Sequence, residues 1–141
     1  MKNKILLVGL FCCSLVSTEA QVLLDKNAGK NSFPIVSPAA NVVVCFDGKD
    51  ETVVRKSVTL FADDVRRVTG QDLKTQASNP GDVSARYAII VGTVGKSAWI
   101  NALTAKKKID ITPIAGGWER YMIETVDNPA PGIKKAIVVA G

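Results

Sequence analysis

The chain has 141 residues, of which 47% are hydrophobic, with a formal net charge of +5 and no histidine. This length predicts one domain that can bury a core without disulfide or metal staples. The lack of histidine excludes histidine-dependent catalytic triads and most zinc sites. A charge this mild, spread along the whole chain, does not indicate a nucleic-acid-binding protein.

Residues 1–20 have the three-part layout of a secretory signal peptide. Met1–Lys4 is a short basic region, Ile5–Val16 is an uncharged apolar stretch, and small residues before Gln21 predict cleavage after Ala20. The apolar stretch is too short to span a bilayer, which takes about 20 apolar residues. We therefore expect a secreted or periplasmic protein with no membrane association after cleavage.

Two of the three cysteines, Cys12 and Cys13, lie in the predicted signal peptide. Cleavage would remove two of the three cysteines and leave Cys45 without an intrachain disulfide partner. Cys45 lies in an apolar stretch, where a thiol behaves as a small hydrophobic side chain. An uncleaved anchor and a lipoprotein are the alternatives to a cleaved signal. A lipoprotein needs a small residue before its modified cysteine, whereas Phe11 precedes Cys12.

After the signal, the pattern predicts an irregular segment, a strand and a turn. Residues 21–40 are punctuated by prolines, and we expect an irregular stretch with at most a short edge strand at Val22–Leu24. Asn41–Phe46 is a β-branched run, which predicts a strand that is covered on both faces. Asp47–Asp50 predicts a turn.

A long amphipathic helix is predicted next, with Asp50 or Thr52 as its N-terminal cap. Its apolar residues recur at spacings of three and four, which places them on one helix face. They are Val54, Val58, Phe61, Val65 and Val68. Gly70 is expected to end the helix, because glycine adopts the left-handed conformation of a helix C-terminus at no cost.

The middle of the chain predicts a polar stretch with a turn, a strand and a short helix. These are Gln71–Ala85 with a turn at Asn79–Asp82, the strand Arg86–Val91, and a helix capped by Ser97 and running to about Ala105. Lys106–Lys108 then lies at the helix end, where the helix dipole favours cations, so we interpret it as a solvated helix end.

The last third predicts two strands, and the chain ends in the second of them. The segments are a connector at Ile109–Gly117, a strand at Trp118–Val126, a turn at Asp127–Gly132 and a strand at Lys135–Gly141. The order β-α-β-α-β-β predicts an α/β (α+β) fold, a mixed β-sheet with helices packed on it. Because an apolar strand normally leads into a further element, we expect the chain to be the front piece of a longer protein.

One motif is similar to a phosphate-binding loop. Gly92–Ser97 lies between a predicted strand and helix and ends in Gly-Lys-Ser. A P-loop has four residues between its two glycines, whereas only Thr93 and Val94 separate Gly92 from Gly95. We therefore interpret the motif as a tight turn with a serine cap, and nucleotide binding is the least favoured hypothesis.

No pair of carboxylates has the arrangement that glycoside hydrolysis requires. Asp63 and Asp64 point about 100° apart on a helix, and Glu119 and Glu124 lie on opposite faces of a strand. The acids within Asp47–Glu51 match no calcium loop. We interpret all of them as solvated surface acids, and we assign no catalytic, cofactor-binding or metal-binding residue.

Trp118, Glu119 and Tyr121 are the candidate contact residues. The two aromatic side chains are suited either to stacking on a sugar or to packing in a core or against a neighbouring domain. Alternation along the predicted strand places Trp118 and Tyr121 on opposite faces. That arrangement favours packing over a joint sugar platform.

Several short stretches occur in a recognisable order across nearly all of the mature chain. They are Asn41–Phe46, Ala62–Gly70, Ile89–Ser97, Lys108–Asp110, Gly117–Tyr121, Pro129–Ile133 and Ala136–Gly141. Together, their order and spacing resemble the N-terminal domain of glycoside hydrolase family 115, the xylan α-glucuronidases.

The resemblance implies a multidomain secreted enzyme. In that family an N-terminal α/β domain, similar to those of family 20 hexosaminidases and family 67 α-glucuronidases, precedes a (β/α)₈ barrel. The barrel carries the acid and base that remove 4-O-methyl-glucuronic acid from xylan, so no catalytic residue carries over to this chain.

The expected function is therefore that of a non-catalytic N-terminal domain of a secreted glycoside hydrolase. Its expected partner is the catalytic barrel of the same parent chain, which would also bring it to the polysaccharide substrate. This chain alone is expected to be inactive. A freestanding carbohydrate-binding module is the alternative.

Overall fold

A computed structural model describes residues 32–37 and 40–141 of the chain. Its elements are β1 (Val42–Phe46), α1 (Thr52–Thr69), β2 (Lys74–Ala77), β3 (Ala85–Gly92), α2 (Ala98–Ala105), β4 (Met122–Ala130) and β5 (Ile133–Ala140). The predicted signal peptide and the stretch Val22–Leu24 lie outside the described residues. Within the described ranges, no helix is both long and apolar enough to cross a membrane.

Five strands form one mixed sheet in the order β2-β1-β3-β5-β4. β1 pairs in parallel with both β2 and β3, and β3 pairs in parallel with β5. β4 runs antiparallel to β5. The apolar, β-branched sequences of β1, β3 and β5 fit the three interior positions of this order. The predicted mixed sheet with packed helices and an antiparallel final pair is therefore confirmed.

The larger core lies on the face of the sheet that α2 covers. Its buried side chains include Trp99, Ile100 and Leu103 from α2, and Cys45, Ala88, Ile90, Ala136 and Val138 from the strands. The alanines on β3 and β5 leave room for the bulky helix side chains to approach the sheet closely. Trp99 Nε1 also donates a hydrogen bond to the Ser78 carbonyl oxygen at 2.8 Å. This bond ties α2 to the segment between β2 and β3.

The opposite face carries α1, which packs over β1, β2 and β3. Val58 and Val65 are the buried residues of the helix, and Val58 joins a smaller cluster with Val44 and Ile89. The segment before β1 also contributes, since the Phe33 ring meets the Tyr87 ring edge-on at 5.4 Å between centroids.

Two residues of the predicted apolar stripe of α1, Phe61 and Val68, are not buried against the sheet. Val68 is 84% exposed, and Phe61 is also on the exposed side. At 100° per residue, Val68 lies about 80° around the helix from Val58. The stripe is therefore wider than the strip of helix that touches the sheet, and its flank faces solvent.

The C-terminal end of α1 is as predicted, whereas its N-terminal cap is not. Gly70 has a φ of 70° and its N–H donates to the Arg66 carbonyl oxygen at 2.8 Å. At the N-terminus the cap residue is Glu51, which makes no side-chain capping hydrogen bond. The expected cap Asp50 is engaged in a different contact, described below, and Thr52 is the first residue of the helix.

β2 was not predicted, because none of the signals that identify strands is present in Lys74–Ala77. This edge strand is mostly exposed, and it is held by main-chain pairing with β1, such as Val44 with Thr75. A strand without a buried face has no alternation of apolar and polar residues to reveal it.

The predicted bounds of β4 were wrong by four residues at each end. The strand begins at Met122, opposite Ala140, and continues to Ala130 across an irregularity between Asp127 and Ala130. Asn128 takes a φ of 49° there, so the backbone absorbs the one extra residue of β4 and pairing resumes. The stretch from Trp118 to Tyr121 therefore precedes the strand, and the turn narrows to Pro131 and Gly132.

Replacing Gly92 with alanine should destabilise the fold. An added Cβ at Gly92 would lie 2.5 Å from Ser97 Cβ and 2.9 Å from Ile100 Cγ1. Overpacking of this kind costs about 1–3 kcal/mol. We expect Gly92→Ala to lower the free energy of unfolding by that amount, as measured by urea denaturation.

Gly48→Ala is the matched control. A Cβ there would meet Ala77 Cβ at 3.6 Å, which is an ordinary contact. Its effect should be neutral or slightly stabilising. Equal stabilities for the two variants would contradict the close packing at Gly92.

Candidate functional site

The carboxyl ends of β1 and β3 are the first place to look for a site. These strands are neighbours, and the helices that follow them pack on opposite faces of the sheet. In open α/β sheets, ligands bind where two such crossovers diverge, in the crevice outside the carboxyl ends of the strands. Here that crevice lies between residues 47–51, after β1, and residues 93–97, after β3.

Asp47 spans this crevice. It is buried, and its Oδ1 accepts a hydrogen bond from the Lys49 N–H at 2.8 Å. Its Oδ2 accepts one from the Ala98 N–H at 2.9 Å, at the first residue of α2. These two main-chain donors, Lys49 first and then Ala98, lower the pKa of Asp47 below its ordinary value. Asp47 thus holds the N-terminus of α2 against the end of β1.

Asp50 makes a second link of the same kind. It is also buried, and its Oδ2 accepts a hydrogen bond from the Thr93 N–H at 3.0 Å. Its Oδ1 accepts from the Glu51 N–H at 2.7 Å, while its own N–H donates to the Asp47 carbonyl oxygen at 3.1 Å. The two carboxylates together fasten the loop that precedes α2 to the loop that follows β1.

An exposed ion pair between Lys96 and Glu51 lies across the same two loops. Its hydrogen bond and charge raise the pKa of Lys96. Because the side chains of Lys96 and Glu51 are 59% and 46% exposed, solvent and salt screen the pair, and its contribution to stability is small.

The carboxyl-edge crevice is therefore filled by the chain's own acids. The N–H groups of Thr93 and Ala98 point at carboxylates, in positions where the loop of a nucleotide-binding protein offers such donors to phosphate. The interpretation of Asp47 and Asp50 as solvated surface acids was wrong, because both are buried by these contacts. Their position directly after β1 was the available signal, but it is informative only once the strand order is known.

Ser97 occupies the cap position of α2 without acting as a side-chain cap. Its Oγ makes no capping hydrogen bond and is buried without a partner. Oγ lies directly over Gly92, at 2.4 Å from the position that a Cβ would take there. The predicted serine cap is thus wrong, since the carboxylate of Asp47 serves the helix N-terminus instead.

Cys45 is not a candidate nucleophile. It is fully buried, and burial raises the pKa of its thiol to about 11. A thiol in that state is inert at neutral pH, which agrees with its predicted role as a small hydrophobic side chain.

The predicted contact residues lie at the same edge of the sheet, in the segment before β4. Trp118 is 87% exposed and Tyr121 is 71% exposed. Glu119, between them, is exposed and takes a φ of 53°, so the chain turns there. Gly141, which follows β5, lies beside this turn. A Cβ atom added to Gly141 would be 3.5 Å from the Cβ of Tyr121.

Ile123 extends this surface and was not predicted. It is 52% exposed and pairs with the half-buried Val139 of β5. The register places Ile123 on the sheet face of α1, but that helix packs mainly on β1, β2 and β3. We call Trp118, Tyr121 and Ile123 the aromatic surface.

The remaining carboxylates that were considered do not converge. Asp63 and Asp64 are exposed partners of Arg66 and Arg67 on α1, and Glu124 is exposed on β4. Among the described residues, no three cysteine or acidic side chains are grouped so that they could hold a metal ion.

No family model matches the chain, and no curated protein matches its sequence.

Asp47→Ala should reduce stability at neutral pH. It leaves the Ala98 N–H without its charged acceptor, and hydrogen bonds to charged groups are worth roughly 1.5–3 kcal/mol. We expect a loss of about 2 kcal/mol in urea denaturation at pH 7. Asp63→Ala, which removes an exposed carboxylate, should cost less than about 0.5 kcal/mol.

The same variant has a predictable pH dependence. Because the pKa of Asp47 is lower in the folded state than in the unfolded state, its stabilisation is complete above the unfolded value of about 3.9. It is lost as the pH falls through the folded pKa. The stability difference between wild type and Asp47→Ala should therefore shrink below about pH 4. An unchanged difference at acid pH would contradict this role.

Proposed function

We propose that the chain is a non-catalytic N-terminal domain of a secreted glycoside hydrolase similar to the family 115 α-glucuronidases. The observation that carries the proposal is the exposure of the aromatic surface, whose residue Tyr121 lies beside Gly141. Such a surface on a small domain is typical of a contact with another domain or partner.

Burial of the aromatic surface would be favourable. Tryptophan and tyrosine provide large apolar area with a polar tip, and they dominate the energetics of interfaces. The three residues belong to one short stretch of chain, 118–123, in which Tyr121 lies beside Gly141 at the end of β5. A catalytic barrel in the same parent chain would emerge next to this surface and is the proposed partner.

The hydrogen bonds of the acids at the carboxyl edge of the sheet favour a structural role for these acids rather than a catalytic one. Asp47 and Asp50 are the buried acids of the described residues, and each accepts two main-chain hydrogen bonds. The main-chain donors lower the pKa of Asp47, which makes this carboxyl group a poor proton donor. Glycoside hydrolysis needs one carboxyl group that can donate a proton.

The motifs of the family resemblance lie at defined places in the fold. Ala62–Gly70 covers the last turns of α1, Ile89–Ser97 leads from β3 into α2, and Gly117–Tyr121 contains the exposed aromatic turn.

A carbohydrate-binding module is the second candidate, and the exposure of Trp118 and Tyr121 favours it. Trp118 and Tyr121 both precede β4. The prediction that they lie on opposite faces of a strand therefore does not apply to them. The rings of these two residues make no contact with each other; the one ring pair within the described ranges is Phe33 with Tyr87.

The gene sequence after codon 141 tests the first candidate most directly. Under the proposal the reading frame continues into a (β/α)₈ barrel. A frame that continues into an unrelated domain would contradict the assignment to this family of enzymes.

The chain by itself should not release 4-O-methyl-glucuronic acid from glucuronoxylan. Its two buried carboxylates, Asp47 and Asp50, are bonded to main-chain N–H groups, so turnover should equal that of a heat-denatured sample. Chromatography of the released acid after prolonged incubation measures this. Release above that background would refute a non-catalytic role.

The two candidate functions predict different effects of xylan oligosaccharides on the fluorescence of Trp118. Trp118→Phe leaves the buried Trp99 as the single tryptophan. The difference between the fluorescence spectra of the wild type and this variant therefore gives the emission of Trp118. Under the domain-contact proposal, xylan oligosaccharides at millimolar concentration should leave the emission of both proteins unchanged. A saturable shift in wild type that is absent in Trp118→Phe would favour the binding module instead.

A further inference from the structure

The interior strand β5 is buried on one side and only partly covered on the other. Its residues Ala136, Val138 and Ala140 are fully buried in the core that α2 covers, whereas Ile137 and Val139, on the side of α1, are half-buried. The apolar cluster beneath α1 contains residues of β1 and β3 and, among the described residues, none of β4 or β5. The side of β5 that carries Ile137 and Val139 is therefore left partly open.

The sequence of β5 is typical of a strand that is covered on both sides. Residues 136–140 form a continuous apolar run, whereas a strand with one solvated side alternates between apolar and polar residues. Ile123 of β4 pairs with Val139, extends the same apolar side and is 52% exposed. We call Ile123, Ile137 and Val139 the open face. Its apolar composition indicates that a further part of a molecule covers it.

The described chain that precedes β1 already lies on this side of the sheet. Phe33 and Ile35 pack against the same apolar cluster as Val58 of α1, and the Phe33 ring meets the Tyr87 ring of β3 edge-on. Tyr87 pairs with Lys135 of β5. The chain at Phe33 is therefore in contact with the strand next to the open face.

We propose that the apolar stretch Val22-Leu23-Leu24 of this chain covers the open face. It lies outside the described residues and is the only apolar run in the sequence between Gln21 and Asn31. The nine residue steps from Leu24 to Phe33 span up to about 30 Å when extended, whereas neighbouring strands of a sheet lie about 4.8 Å apart. The chain is therefore long enough for residues 22–24 to reach β5 and β4 from Phe33.

A stretch of the same chain is favoured over a second copy or another protein as the cover. Its attachment to Phe33 gives residues 22–24 a high effective concentration at the open face, and burial of their side chains removes apolar area from water on both partners. The inference does not depend on the proposed function. The open face shares only Ile123 with the aromatic surface, and Trp118 and Tyr121, which precede β4, stay available to another domain.

Nuclear Overhauser effects between methyl groups test the inference in the chain from Gln21 to Gly141, which contains every described residue. We expect cross-peaks between the methyl groups of residues 22–24 and those of Ile137 and Val139, with positions and intensities per molecule that do not change on tenfold dilution. Cross-peaks that disappear on dilution would indicate a second copy as the cover. Their absence at every concentration would mean that residues 22–24 do not lie on the open face. Either result overturns the proposal.

Replacement of the apolar stretch by serine should expose the open face. In a chain that combines Val22→Ser, Leu23→Ser and Leu24→Ser, the methyl signals of Ile137 and Val139 should shift, whereas those of Ile100 in the core under α2 should not. The matched control combines Asp25→Ser, Lys26→Ser and Asn27→Ser, which places as many serines in the next three residues and removes one charge of each sign. It should leave all of these signals unchanged.

A variant on the sheet gives a second test that does not alter the apolar stretch. Ile123 is 52% exposed, so Ile123→Ser should leave the fold intact while it removes part of the open face. We expect it to weaken the cross-peaks of residues 22–24 with Val139. The proposal is overturned if the serine variant of residues 22–24 leaves the signals of Ile137 and Val139 unchanged, if the control shifts them as much, or if Ile123→Ser leaves the cross-peaks at full intensity.

Discussion

Two buried carboxylates set the architecture of the carboxyl edge of the sheet. Asp47 and Asp50 accept main-chain hydrogen bonds from Ala98 and Thr93, and they thereby join the loop after β1 to the loop before α2. Because α1 and α2 lie on opposite faces of the sheet, this contact fixes where both helices begin relative to the strands. Buried carboxylates that lost these donors would be unpaired charges in a poorly solvated place, so the arrangement is strongly constrained.

The sequence predicted the elements whose stability comes from burial. β1, β3 and β5 are apolar runs, and α1 carries an apolar stripe that ends at Gly70, so each has a local signal that matches its environment. β2 has none, because its pairing with β1 uses main-chain groups and leaves its side chains exposed. The shift in β4 has a similar cause, because the turn at Glu119 and the irregularity at Asn128 depend on left-handed backbone conformations. Such conformations are uncommon for residues other than glycine, and glutamate in particular gives no local signal for one.

The candidate site could be predicted only in part. The short spacing of Gly92 and Gly95 correctly indicated that the loop before α2 is not a P-loop. That Asp47 and Asp50 take the place of an anion could not be predicted, since it requires β1 and β3 to be neighbours and nothing in either strand specifies its partner. Trp118, Glu119 and Tyr121 were predicted as contact residues from their types, and that role stays a prediction. Their exposure follows from the turn that the strand assignment missed.

The chain's own acids occupy the main-chain donors of the carboxyl-edge crevice, so a ligand there would have to displace a buried carboxylate. The aromatic surface lies outside this crevice contact: Trp118, Tyr121 and Ile123 are 87%, 71% and 52% exposed. Glu119 and Arg120, within the same stretch, are exposed charged residues. An apolar centre with charged residues around it is the composition of a protein–protein interface, which is why the proposed partner of this surface is another folded domain.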